Sequence, residues 1–121
     1  MIFKKAVDIQ KRLIETVNMA EFRHINVNQI VGVRSFGSKS RARARIWAFP
    51  IIWQEALGLK PHYVIEVLAE KFDHLSENDQ KQILIHELLH IPKTFSGALR
   101  PHRMRRWRLT SEVKKIYKKY F

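Results

Sequence analysis

The residues most able to do chemistry are the pentad His86-Glu87-Leu88-Leu89-His90. Two histidines four apart on a helix lie about 40° apart around its axis and about one turn along it, so both imidazoles can reach a single metal ion. Glu87 is close enough to the same point to hold a water beside the metal without being a ligand. Two imidazoles for Zn2+ with a carboxylate as general base is a combination suited to amide hydrolysis.

The surrounding residues predict the helix this spacing needs. Ser76 is placed to cap its start, and Glu77 and Asp79 put negative charge in the first turn. Ile83, Leu84, Leu88 and Ile91 recur at helical spacing, and Pro92 stops the helix just after the second histidine. A catalytic zinc site takes a third protein ligand and leaves one position open. Two candidates follow. His102 comes after a segment punctuated by Pro92, Ser96, Gly97 and Pro101, long enough to fold back over the helix. Glu112 is the competitor, from the next helix. His102 is preferred because imidazole is the commoner zinc ligand. His24, His62 and His74 read as surface or partly buried histidines, with His62 the one placed to approach the cleft as an accessory proton donor. Arg100, Arg103 and His62 are candidate donors to a developing oxyanion.

The HExxH pentad followed by His102 resembles the zincin-like metallopeptidases, particularly the small SprT-like and phage-type members. The likeness is carried by residues 62 to 102 and above all by Ile85 to His102. It implies a helix-strand-strand-strand-helix core with the motif on the last helix, Zn2+ held by His86, His90 and His102, Glu87 as base, and a protein or peptide substrate. The spacing to His102 is longer than the metzincin pattern, no Met-turn is evident, and a downstream glutamate ligand is absent unless Glu112 serves.

At 121 residues the chain is expected to form one domain, 1–121. It has no apolar run long enough to span a membrane, no secretory signal and no cysteine, which together fit a cytoplasmic protein without disulfides. Its net charge of +12 is unevenly placed. Residues 1–92 carry 13 Lys/Arg against 10 Asp/Glu, whereas the basic segment 93–121 carries 10 against Glu112 alone. Arg103, Arg105, Arg106 and Arg108 surround Trp107, offering phosphate contacts and a stacking face for nucleic acid; a solvated basic helix is the plainer alternative. The basic helix lying across the cleft as a mask is a further one, as is a zinc-stabilised nucleic-acid-binding module without turnover.

The fold expected from these patterns is α+β, a minimal zincin-like domain. A three-stranded, mainly antiparallel sheet would pack on an N-terminal helix (3–18) and the motif helix (77–91), with a basic helix at about 111–121. The strands are Ile30–Phe36, Arg41–Phe49 and Tyr63–Leu68, the first two joined as a hairpin through Gly37-Ser38-Lys39-Ser40. In the second, Arg41, Arg43, Arg45 and Trp47 share one face by a period of two, giving a solvated edge or a strand that pairs with an extended substrate.

Overall fold

A computed structural model of the protein describes residues 1–100 and 106–121, with the backbone alone described over 106–109. The chain runs β1 (Ile2–Lys5), α1 (Val7–Met19), β2 (Ile30–Phe36), β3 (Ala44–Trp47), α2 (Ile51–Leu57), β4 (Tyr63–Leu68), α3 (Ala69–Phe72), α4 (Glu77–Leu89) and α5 (Arg106–Tyr120). The four strands form one mixed sheet in the order β1-β2-β4-β3. The α+β class matches the expectation; the three-stranded, mainly antiparallel sheet does not.

Two differences have physical causes. Phe3 and Val7 are four apart and imitate the face of a helix, yet Ile2–Lys5 is extended and pairs antiparallel with Val33–Phe36, so the helix begins only at Val7. The expected β2–β3 hairpin does not form, because β4 lies between the two strands. It pairs parallel with β2 (Gly32 opposite Ile65) and antiparallel with β3 (Ile46 opposite Ile65). Residues 37–43 therefore cross to the far side of β4, and the regular strand shrinks to Ala44–Trp47.

Helices α1 and α4 cover the same face of the sheet. Ile9, Leu13 and Val17 of α1 meet Ile30, Tyr63, Ile65 and Val67 of the strands and Leu84, Ile85 and Leu88 of α4 in one buried cluster. Gly32 lets α1 come this close, since a Cβ there would press on the Gln10 amide nitrogen and on Ile9 at 3.0 Å. Where β1 is too short to pair with the start of β2, the Gln10 carboxamide takes its place: it donates to the Ile30 carbonyl (2.9 Å) and accepts from the Gly32 amide (2.7 Å). α5 adds Val113, with Ile116, Tyr117 and Tyr120 packed partly against the cluster.

On the opposite face of β4, Glu66 is fully buried. Arg45, directly across from it on β3, donates at 2.8 and 3.3 Å, and the Trp47 indole N–H donates at 2.9 Å. The three guanidiniums expected on one strand face are thus split: Arg45 belongs to this ion pair, and Arg41 and Arg43 precede the strand. Burial alone would raise the Glu66 pKa, but the hydrogen bonds from Arg45 and Trp47 outweigh it and hold the carboxyl below its ordinary 4.5. Stabilisation from a carboxylate depressed in this way is present above pH 4.5 and lost as pH falls through the lowered value. Arg45→Ala should therefore cost about 2 kcal/mol at pH 7, less than a wholly buried pair because Arg45 is partly exposed. Denaturant unfolding should show that deficit narrowing between pH 7 and pH 3; a deficit independent of pH would mean that the arginine stabilises by packing alone.

Candidate active site

Helix α4 starts where its sequence signals place it. The Ser76 side chain accepts from the Asp79 amide at 3.1 Å, and Glu77 and Asp79 lie in the first turn. Gln80 fixes this end by donating to the Phe72 carbonyl (3.0 Å) and accepting from Arg12 (2.7 Å). With Leu84, Ile85 and Leu88 committed to the core, the helical period turns His86, Glu87 and His90 toward β3.

The two imidazoles converge, their Nε2 atoms 3.3 Å apart. The His90 Nδ1 lies 3.2 Å from the Arg100 carbonyl oxygen, which can only accept, so this contact selects a proton on Nδ1 and leaves Nε2 as the nitrogen facing His86. Glu87 is only 7 % exposed, and desolvation pushes its pKa up to about 7. A buried carboxylate titrating near neutrality is suited to taking and returning a proton.

These side chains line a cleft along β3. A cavity of about 500 Å3 reaches toward the start of α4 past Arg43, Gln82 and Ile83. A second, of about 530 Å3, reaches toward Ile46, His90 and Leu99. Both are lined by Ala44, His86 and Glu87, so the histidine-glutamate pair sits midway.

The return loop after α4 is held by residues whose role the sequence did not reveal. The buried Tyr63 hydroxyl accepts from the Gly97 amide and donates to the Ala98 carbonyl, each at 2.8 Å. The Phe49 amide donates to the Gly97 carbonyl at 2.8 Å, and Gln54 donates to both Phe49 and Ser96. Gly97 has φ +94°, and a Cβ on it would run into the Phe49 carbonyl oxygen. So anchored, the chain brings Arg100 back to the helix end, where its amide donates to the His90 carbonyl at 2.7 Å. Tyr63 reads in sequence as one more strand residue; only the fold shows that its hydroxyl is the loop's anchor.

The expected site residues are therefore partly assembled. His86, Glu87 and His90 come together. His102 lies outside the described residues, as do Arg103 and Arg105 and the side chains of Arg106, Trp107 and Arg108. Among the described residues no group of three or more His, Asp or Glu side chains is arranged to hold a metal. Glu112 is paired with Arg100 (3.4 Å) and lines a different cavity with Glu21, His24 and Lys93. His62 lines neither part of the cleft: its Nδ1 lies 2.6 Å from the Lys60 carbonyl oxygen and its ring edge meets Phe49. His24 approaches the Ile91 carbonyl and His74 is exposed.

Paired imidazoles beside a buried carboxylate in a strand-lined cleft are the parts a metal-assisted hydrolase uses. Over residues 1–120 the chain matches the family described as putative phage metallopeptidase, and it belongs to that family. The family's description makes it a peptidase class with a metal cofactor and a protein or peptide substrate. No curated protein and no solved structure matches the chain. Among the described residues no helix is long and apolar enough to cross a membrane.

Two outcomes follow from this geometry. Tyr63→Phe leaves the buried Gly97 amide without its acceptor and should cost about 1–3 kcal/mol in denaturant unfolding; an unchanged midpoint would show that the loop is held by Phe49 and Gln54 instead. Glu87, raised from 4.5 to about 7, makes the folded metal-free protein bind a proton that the unfolded chain releases, so its contribution falls as pH rises through that window. In chelator, Glu87→Gln should thus stabilise the protein at pH 8, by on the order of 3 kcal/mol at most, with little effect at pH 4. Equal stability of the two proteins at pH 8 would refute the desolvated carboxylate.

Proposed function

We propose that the protein is a zinc-dependent peptidase in which His86, His90 and His102 hold the metal and Glu87 is the general base. The observation that carries this reading is the 3.3 Å between the His86 and His90 Nε2 atoms, with the buried Glu87 between them in sequence. Two nitrogens each about 2.0–2.1 Å from a tetrahedral zinc ion stand about 3.3–3.4 Å apart, so the pair as found fits that ion. The His90 tautomer fits as well, since the Arg100 carbonyl holds the Nδ1 proton and directs the Nε2 lone pair inward. The Arg100 backbone is bonded to His90 at both its amide and its carbonyl, and His102 follows Arg100 by two residues in sequence, which supports it as the proposed third ligand.

When bound, zinc supplies a Lewis acid that activates water and polarises the scissile carbonyl. Glu87 removes the proton from the attacking water and returns it to the leaving amine. β3, the outer strand of the sheet, offers an extended substrate an edge to pair with, holding the scissile bond over His86 and Glu87. Leu99 and Ile46 give one side of the cleft an apolar wall.

The masking alternative is the weaker one. α5 contributes Val113 to the core and forms one wall of the cleft through Thr110 and Lys114, so shortening it removes packing as well as any mask. The basic cluster Arg103 to Arg108 with Trp107 is retained as the proposed nucleic-acid contact.

Elemental analysis of the wild type beside His90→Ala and His102→Ala tests the ligand set. One zinc per chain is expected in the wild type, with clear loss in both variants. Retention in His102→Ala would remove that residue from the set. Glu87→Gln should keep zinc and lose peptide cleavage by a factor on the order of 100 or more; undiminished cleavage would sink the general-base role.

A further inference from the structure

The two ends of the cleft differ in how their cations are neutralised. At the His90 end, Arg45 is bonded to Glu66 and Arg100 to Glu112, so each guanidinium already has a carboxylate of this chain. The other end carries Arg41, Arg43 and Lys114, all exposed. No carboxylate lies within ion-pairing distance of these three among the described residues, and every Asp and Glu of the chain is a described residue. Asp79, also exposed, is the one carboxylate besides Glu87 that lines this end. Three cations against one surface aspartate leave a local excess of positive charge along one end of the cleft, which attracts an anion.

We propose that this end of the cleft is a subsite for an acidic side chain of the substrate, with Arg41, Arg43 and Lys114 as its specificity-determining residues. The assignment rests on the peptidase reading above. It also fixes a distance along the substrate. From His86 back to Gln82 and Asp79 is four to seven residues of α4, about 6–10 Å at 1.5 Å per residue. An extended peptide covers that in about two to three residues at 3.3 Å each, so the aspartate or glutamate stands two to three residues from the scissile bond, on one side only. The arginine forks suit a carboxylate bidentately, whereas Lys114 acts as a point charge from the facing helix.

The test is binding by zinc-loaded Glu87→Gln protein, read as fluorescence anisotropy of labelled ten-residue peptides. A glutamate is moved through an otherwise neutral sequence, each peptide beside its glutamine twin. Glutamate is expected to tighten binding about ten-fold at one or two adjacent positions, a difference of about 1.4 kcal/mol, and the gain should shrink in 0.5 M salt at about 4 Å screening length. With Arg43→Glu and Lys114→Glu added, the ranking should invert, favouring lysine at those positions. Equal affinity of every twin pair overturns the subsite. So does a short single-stranded DNA that displaces all the peptides equally and loses its own binding in the charge-reversed protein, which would make this end a phosphate site. Cleavage of the same peptides by the wild type separates the two readings. Biased binding without any cleavage leaves the subsite standing and removes the peptidase reading, whereas cleavage without bias does the reverse. No binding of any peptide removes both.

Discussion

A parallel pair of strands cannot be closed by a tight turn, and the pairing of β2 with β4 obliges the chain to travel across the sheet between them. That connection is where β3 and α2 arise. Because β4 takes the place beside β2, β3 is left to pair on its outer side, and so becomes the edge strand facing α4. The cleft, the outer position of β3 along it and the position of Arg41 and Arg43 at its mouth all descend from this one pairing. The helices follow suit: with β2 and β4 central and apolar, α1 and α4 both seek the face that carries Ile30, Ile65 and Val67.

What was legible in the sequence was what local chemistry decides. Ser76, the acidic first turn and Pro92 bracket α4 to within two residues, because capping and chain termination act over a few positions. Gly58 closes α2 in the left-handed conformation at φ 65°, which glycine adopts without strain. The order of the sheet was not legible. Gly37-Ser38-Lys39-Ser40 has the composition of a hairpin turn, and nothing in those four residues records that β4, some 25 positions on, competes for the same partner. Arg45 likewise reads as a solvent-facing cation until Glu66 is placed opposite it. The convergence of His86 and His90 on one side of α4 was legible from their spacing, whereas the Arg100 carbonyl that meets His90 Nδ1 is main chain and has no side-chain signature. The third-ligand and nucleic-acid readings fall on residues 101–109 and stand as proposals.

The electrostatics of the molecule are organised by pairing as much as by number. A net charge of +12 would suggest a uniformly cationic surface, yet Arg34 is shared between Asp8 and Asp73, Arg45 is sealed on Glu66, and Arg100 joins the end of α4 to Glu112 of α5. These pairs fasten elements distant in sequence and remove their cations from the field seen by a ligand. What is left uncompensated acquires meaning by location. Among the described residues Glu87 has no such counter-cation to lower its pKa, and in the metal-free protein burial pushes it up to about 7.

The Tyr63 hydroxyl is both donor and acceptor to the loop that follows α4, and it stands at the first residue of the strand that holds the sheet together. A loop fastened only by its own turns opens independently of the domain on a fast timescale. This one is fastened to β4, so its opening draws on the stability of the central sheet. Amide hydrogen exchange at Gly97 should then share the slow, cooperative regime of the core strands, though the segment is irregular in backbone and rich in turn residues. The site and the fold would be lost together, as one cooperative unit.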